Sequence, residues 1–334
     1  MTEVLNRTEK PILVYLDQCA VSELYKASAG ETIPKVEQWI ALDELLRAEI
    51  AKGSVGVPLT NVHAEECKAG GEFGEKIWAY AWGLSGGLMF LPKWEALWRE
   101  SLPALIEYLR GKGHSIKGMA QRRPVLTMWP SHAPPLDFVP GRDRELDEKY
   151  ERAYFGTADR WREKGKQPIG EVKEHEAADA EMLMLLFFQL YQRGVLSRFA
   201  GVEWMVRIWS VLQATSEGDE AKAWALLEGF LASKEYRSVP TVHLDANLWA
   251  LHRQRIASGG GQPDRGDFND ADFLHRVVPH VDLVLTDIRF AEHFRNRAME
   301  LDKIAPNVRV FGMRDLVAFT DALRQLLRRA SATA

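Results

Sequence analysis

Residues 266–290 read GDFNDADFLHRVVPHVDLVLTDIRF, and the hydrophobic period changes halfway along the stretch. The first half is spaced as a helix. On a wheel begun at Asp267, the apolar Ala271, Leu274, Val277 and Val278 share one arc, which is expected to face a core. Asp267 and Asp270 fall inside that arc, whereas Asp272 points away and is expected to be solvated. Carboxylates on a core-facing side are costly unless a cation or a hydrogen-bond donor meets them, which marks the first two as functional candidates. A turn is expected at Pro279 and His280. Residues 281–285, VDLVL, then make a short β-prone run closed by Thr286 and Asp287. A buried strand ending in Asp carries that carboxylate to the carboxyl edge of a sheet, where open α/β sheets bind their ligands.

The opposite end of the chain supplies a second acid of this kind. Residues 11–16, PILVYL, form an apolar run closed by Asp17, and a helical pattern begins at Gln18. If both runs join one parallel sheet, Asp17 and Asp287 meet although 270 positions separate them. Two carboxylates about 4 Å apart repel by roughly 4 kcal/mol at an effective dielectric of about 20. A divalent cation would remove that conflict.

The run YLDQ at 15–18, an acid-bearing helix at 61–68, GDFNDADF at 266–273 and VLTD at 284–287 together resemble the PIN-like nuclease superfamily, particularly its larger bacterial members. The resemblance covers about the first 70 residues and 239–311. It implies a three-layer α/β/α core around a central parallel sheet, with Asp17, Glu66, Asp270 and Asp287 as catalytic acids and ligands of Mg2+ or Mn2+. Glu65 and Glu66 both lie near the face of Val62 in a helix that Thr60 is expected to cap, so helical geometry does not choose between them. The family position, three residues beyond His63, favours Glu66. Hard cations take such oxygen ligands, and Mg2+ keeps several waters for exchange. One cation would turn a bound water into hydroxide, and the same or a second would stabilise charge on the phosphate and leaving oxygen. The resemblance implies products with a 5′-phosphate and a 3′-hydroxyl.

Secondary candidates are Asp267, Glu65, Thr286, which would orient a metal-bound water, and Gln18, which would contact substrate. Each candidate also has a structural reading. Asp17, Asp267 and Asp287 would cap helices, Thr286 would close a sheet-end hydrogen bond, and Gln18 would be a surface amide. His63 reads as a packed or capping histidine. Asp245 and His252, with Arg253 and Arg255, share one flank of a helix expected over 241–256 and would form either an exposed polar face or one wall of a groove. Cys19 stands where larger family members often carry a polar amide.

Composition sets the outer bounds. A chain of 334 residues makes one enlarged domain or two modest ones, and its 46 % hydrophobic content suffices for a substantial core. No apolar run reaches the roughly 18 residues of a membrane span, and residues 1–10 lack the form of a signal peptide. Cys19 and Cys67 make no disulfide framework, so the chain reads as cytoplasmic. A net charge of −4 gives no global attraction to nucleic acid; holding a phosphate backbone would need a local basic surface or metal ions.

Between the two ends the pattern is mainly helical. Helices are expected at 18–26, 36–52, 74–84, 94–109, 144–164, 171–193, 202–214 and 219–233, with an irregular five-proline loop at 124–140. Residues 181–191, EMLMLLFFQLY, read as the buried spine of this region. After residue 287 a helix to about 301, a strand at 308–311 and a closing helix at 314–329 are expected. The organisation expected is a discontinuous PIN-like core, 1–70 and 236–334, with a helical insertion at 71–235. The function expected is a metal-dependent endonuclease for single-stranded or structured RNA, serving RNA turnover, toxicity or antiviral defence. The alternatives are a DNA nuclease with the same site, or an idle scaffold holding a protein partner through its helical insertion.

Overall fold

The computed structural model of the protein describes residues 11–116, 124–129, 133–136, 161–198, 201–260 and 273–333. Asp267, Asp270, Ala271, Asp272 and the charged residues 141–160 lie outside them.

The chain is a mixed α/β protein built on four parallel strands in the order β2-β1-β5-β6. Strand β1 (Ile12–Leu16) is buried at every position. It leads into α1 (Gln18–Ser28) and α2 (Val36–Lys52), which stops at Gly53 with φ 73°. Gly is suited to that left-handed cap. Then follow β2 (Val55–Gly56), α3 (Asn61–Ala69), α4 (Gly71–Ser85), β3 (Leu88–Phe90), α5 (Lys93–Gly111) and β4 (Leu126–Met128). The helical middle comprises α6 (Ile169–Gln192), α7 (Val202–Thr215), α8 (Glu220–Leu231) and α9 (Lys234–Arg237). Helix α10 (Pro240–Ala257) returns the chain to the sheet. Residues 273–277 are helical, a 3-10 turn follows at Val278–His280, and β5 (Leu283–Thr286), α11 (Ile288–Arg295), α12 (Leu301–Ile304), β6 (Arg309–Gly312) and α13 (Leu316–Thr333) complete the fold.

Side chains on the strands alternate between two cores. Ile12, Val14, Leu16, Leu283 and Leu285 pack with α1, α2, α4 and α13 on one face. Leu13, Tyr15, Val284 and Val310 pack with α10, α11 and residues 273–278 on the other. Helices thus cover both faces, as a parallel sheet requires. From β1 the chain moves outward to β2, and from β5 it moves outward to β6 in the opposite direction. The strand order therefore reverses between β1 and β5, and it is beyond the carboxyl ends of such a pair that open α/β sheets place their ligands. A third cluster, with Leu105, Phe188, Trp204, Trp209 and Phe230, gives α5 to α8 a core of their own. Helix α4 does not share it, since Ile77, Trp78, Ala81 and Trp82 join the first sheet core.

The helical middle is tied to the sheet by buried polar bonds. Glu100 of α5 accepts from the Thr241 hydroxyl (2.8 Å) and backbone N–H (3.2 Å) at the start of α10, and its Oε1 lies 2.7 Å from His280 Nε2. Arg253 of α10 donates to Glu176 of α6 at 2.9 Å. Among the described residues no helix is long and apolar enough to cross a membrane.

Four expectations need correction. The loop expected at 124–140 contains β4, which pairs antiparallel with β3, Leu88 opposite Met128. Three-residue strands are too short to display a period of two. The apolar run at 181–191 is no buried spine, for Met182 is 60 % exposed and Leu183 and Leu186 are exposed too, leaving Phe188 as its fully buried member. Apolar content says a side chain would gain from burial, not that a neighbour covers it. In α2, where the sequence places Trp39, Ile40, Leu45, Leu46 and Ile50 in one amphipathic arrangement, Ile40 is exposed while Leu42 takes the core position. The helix after Asp287 ends at Arg295, because Asn296 turns extended and its side chain accepts from Ala298 N to start a 3-10 turn. By contrast Leu274, Val277 and Val278 are buried as the wheel requires, although His275 and Arg276 are buried beside them, so this segment is enclosed on all sides.

Candidate acidic site at the carboxyl edge of the sheet

The register of β1 on β5 sets Leu16 opposite Leu285, so the next residues, Asp17 and Thr286, leave the sheet side by side. Asp17 N donates to Leu285 O at 2.9 Å, which extends the ladder by one bond. The Asp17 side chain is 5 % exposed. Its Oδ1 accepts from Gln18 N at 2.7 Å and its Oδ2 from the Thr286 hydroxyl at 2.7 Å. Cys19 Sγ lies 3.8 Å from the same Oδ2. Burial raises the Asp17 carboxyl above the ordinary carboxylate range; the Thr286 and Gln18 hydrogen bonds offset part of that, and the charge of Asp287 adds to the rise. Asp287 caps α11 by accepting from Phe290 N at 2.8 Å, and Arg289 Nη2 stands 4.0 Å from its other oxygen. Both acids therefore cap helices, and the charge of Asp287 reaches Asp17.

Helix α3 is clamped to this edge by His63. Its Nδ1 accepts from Thr60 N at 3.1 Å, which assigns the ring proton to Nε2, and Nε2 donates to Leu16 O at 2.8 Å. Burial lowers the His63 pKa to about 4, so the ring is neutral near pH 7 with both nitrogens engaged. It is a capping histidine, in keeping with its sequence. Gln18, by contrast, is no surface amide. Its Nε2 lies 3.2 Å from Cys67 Sγ on α3, and its buried Oε1 has no hydrogen-bond partner. Burial pushes the Cys67 thiol up to about 11, with the nearby Glu66 charge acting in the same direction. Glu65 and Glu66 are half-buried on α3; the charge of Glu66 acts on Cys67, and no contact or charge effect of either glutamate on Asp17 is seen among the described residues.

Of the acids singled out in the sequence, Asp17 and Asp287 are thus brought together, with Thr286 bonded to Asp17, while Asp267 and Asp270 lie outside the described residues. Among the described residues no group of three or more His, Cys, Asp or Glu is arranged to hold a metal. The oxygen donors at this edge are of the type a hard cation takes: the Asp17 and Asp287 carboxylates and the buried, unpartnered Gln18 Oε1.

On the far side of Asp287, the flank of α10 departs from both of its sequence readings. His252 is fully buried, neither on an exposed face nor on a groove wall, and packs against Trp249, Phe290 and His293. The signal was available, since His252 follows Leu248 by four and Leu244 by eight positions and so shares their buried face. Asp245 accepts from Trp249 Nε1 at 3.0 Å, and its Oδ1 lies 3.4 Å from His275 Nδ1. Comparison of the chain with protein-family models, with curated proteins and with solved structures finds no match in any of the three.

Proposed function

We propose that this chain is a divalent-metal-dependent endonuclease with a PIN-like α/β/α core, cutting phosphodiester bonds in single-stranded or structured RNA. One observation carries the reading: two acids end adjacent parallel strands where the strand order reverses, and the charge of Asp287 reaches Asp17. Asp17 and Asp287 would hold Mg2+ or Mn2+, with Glu66 and Asp270 completing the oxygen set. Thr286 fixes the rotamer of Asp17 by its hydrogen bond, and the buried Gln18 Oε1 is a further acceptor on the same side. When bound, the cation supplies Lewis acidity and a water of lowered pKa. The helical middle, residues 71–235 in this reading, would select the target.

The test joins binding to turnover. Mn2+ should raise the melting temperature by mass action, worth about 2.7 kcal/mol at a hundred times Kd. Labelled RNA should be cut faster than DNA of the same sequence. Asp287→Asn should abolish both the thermal response and cleavage. Faster cutting of DNA would keep the site and change the substrate. A second reading, an idle scaffold that binds a protein partner, draws on the exposed apolar Met182, Leu183 and Leu186 of α6. It requires no metal response and no cleavage by the wild-type chain.

A further inference from the structure

Helix α6 has an inner side that the fold uses and an outer side that it does not. On the inner side Val172 and Phe188 are buried, and Glu176 and Glu181 accept from Arg253 and Arg237 at 2.9 and 2.8 Å. The outer side is open: Met182 is 60 % exposed, Leu186 45 % and Leu183 42 %. Ala178, one turn before Met182, is exposed as well. Ala178, Met182 and Leu186 follow one another at four positions, so they form one row along the helix. Single apolar side chains on a surface are ordinary, whereas a contiguous row on one helix is the form of a face that packs on another helix.

The charges on the same face select the partner. Glu171 precedes Met182 by eleven positions, and Arg193 follows it by eleven. Eleven residues make three turns and about 20° of a fourth, so all three share one side of the helix, each charge roughly 16 Å from the methionine. Glu171 and Arg193 are exposed, and among the described residues neither has an ion-pair partner. Glu220 and Glu228 of α8 line a groove beside Arg193 without pairing with it. A second copy of the chain, laid antiparallel with a two-fold axis at Met182, sets each Glu171 against Arg193 of the other copy. It also sets each small Ala178 against the larger Leu186 of the other copy, and the two methionines meet at the axis. A parallel pair would place acid on acid and base on base. Such a self-complementary patch is what a two-fold homodimer requires.

We propose that the outer face of α6 is a self-association surface on which two copies of this chain pair antiparallel about Met182. The apolar row supplies the contact, and two Glu171–Arg193 bridges fix its direction. One helix face is at the small end of protein interfaces, so the dimer is expected to be reversible with a micromolar Kd. The proposal does not depend on the nuclease reading, because none of these residues belongs to the acidic edge.

The test is sedimentation equilibrium of the full-length protein over about a hundredfold range of concentration. A reversible monomer–dimer equilibrium is expected for the wild type. Met182→Glu changes a side chain that is already exposed, so the monomer should keep its melting temperature while association weakens by about tenfold or more. Glu171→Arg and Arg193→Glu should each weaken it by about tenfold, since either change turns both bridges into like-charge pairs. The combined Glu171→Arg and Arg193→Glu protein should recover the wild-type Kd, which only the antiparallel arrangement predicts. A wild-type chain that stays monomeric throughout the range would overturn the proposal, including one that binds a different protein on this face. So would a dimer that Met182→Glu leaves intact, one insensitive to both single charge reversals, or failure of the combined reversal to recover what the single ones lose.

Discussion

Two buried histidines packed against the same face of the sheet have opposite chemistry. His63 is 1 % exposed and spends both nitrogens, one on Thr60 N and one on Leu16 O, locking α3 to the end of β1. His252 is 0 % exposed and spends neither. Burial depresses both, to pKa values of about 4 and about 3, and His252 is pushed further by His293, Arg255 and Arg289. The contrast separates a histidine that ties two elements together from one whose ring nitrogens are left unsatisfied. Equal burial does not mean equal role, because the cost of burial is offset at one site and left standing at the other.

The largest effect expected from breaking the first site is that of His63→Ala. Removing the ring leaves Leu16 O and Thr60 N without their partner and opens a cavity, which should cost about 3–5 kcal/mol in urea denaturation. A loss below about 1 kcal/mol would mean that the clamp does not hold α3.

Acidification should come next in size. A histidine whose folded pKa lies below its unfolded value of 6.5 binds its proton more readily in the unfolded chain. The stability it contributes is intact above pH 6.5 and is lost as the pH falls toward the folded pKa, about 4 for His63 and about 3 for His252. At about 1.4 kcal/mol per pKa unit, His63 alone accounts for roughly 3 kcal/mol over that window. Asp17 has the opposite sign: its folded pKa is raised above 3.8, so folding favours the protonated acid and recovers part of the loss on acidification. Urea midpoints measured from pH 7 to pH 4 should fall steadily, and a flat profile would contradict the buried, neutral state of both rings.

The smallest effect separates the two sites most directly. His252→Phe removes an unsatisfied ring while keeping the aromatic contacts, so it should leave stability unchanged or raise it by about 1–2 kcal/mol. Should it destabilise the protein as much as His63→Ala, the distinction between the histidines fails.

Legibility followed length and periodicity. Helix α2 carries its apolar spacing over four turns and ends in glycine, so both of its ends match the sequence reading. Strands β1 and β5 are continuous apolar runs, each followed by Asp, and both were read as such. Strands β3 and β4 were missed because three residues carry no period and each needs the other to exist. The run at 181–191 misled because eight of its residues are Met, Leu or Phe, and nothing local says which of them a neighbour covers. At the edge of the sheet, Asp17, Asp287, Thr286 and the capping role of His63 were legible from their types and neighbours. Gln18 against Cys67 was not, since a contact between α1 and α3 has no trace in either segment alone.

The sequence by itself determined that two strands of buried type end in acids, that helices follow each of them, and that the chain between is mainly helical, because these depend on local period and capping chemistry. Only the tertiary structure decided that those strands are neighbours, that the charge of Asp287 reaches Asp17, and that one buried histidine is satisfied while another is not. The reason is physical: electrostatic interaction and hydrogen-bond satisfaction depend on distances through space, and residues 270 positions apart acquire a distance only when the sheet closes between them.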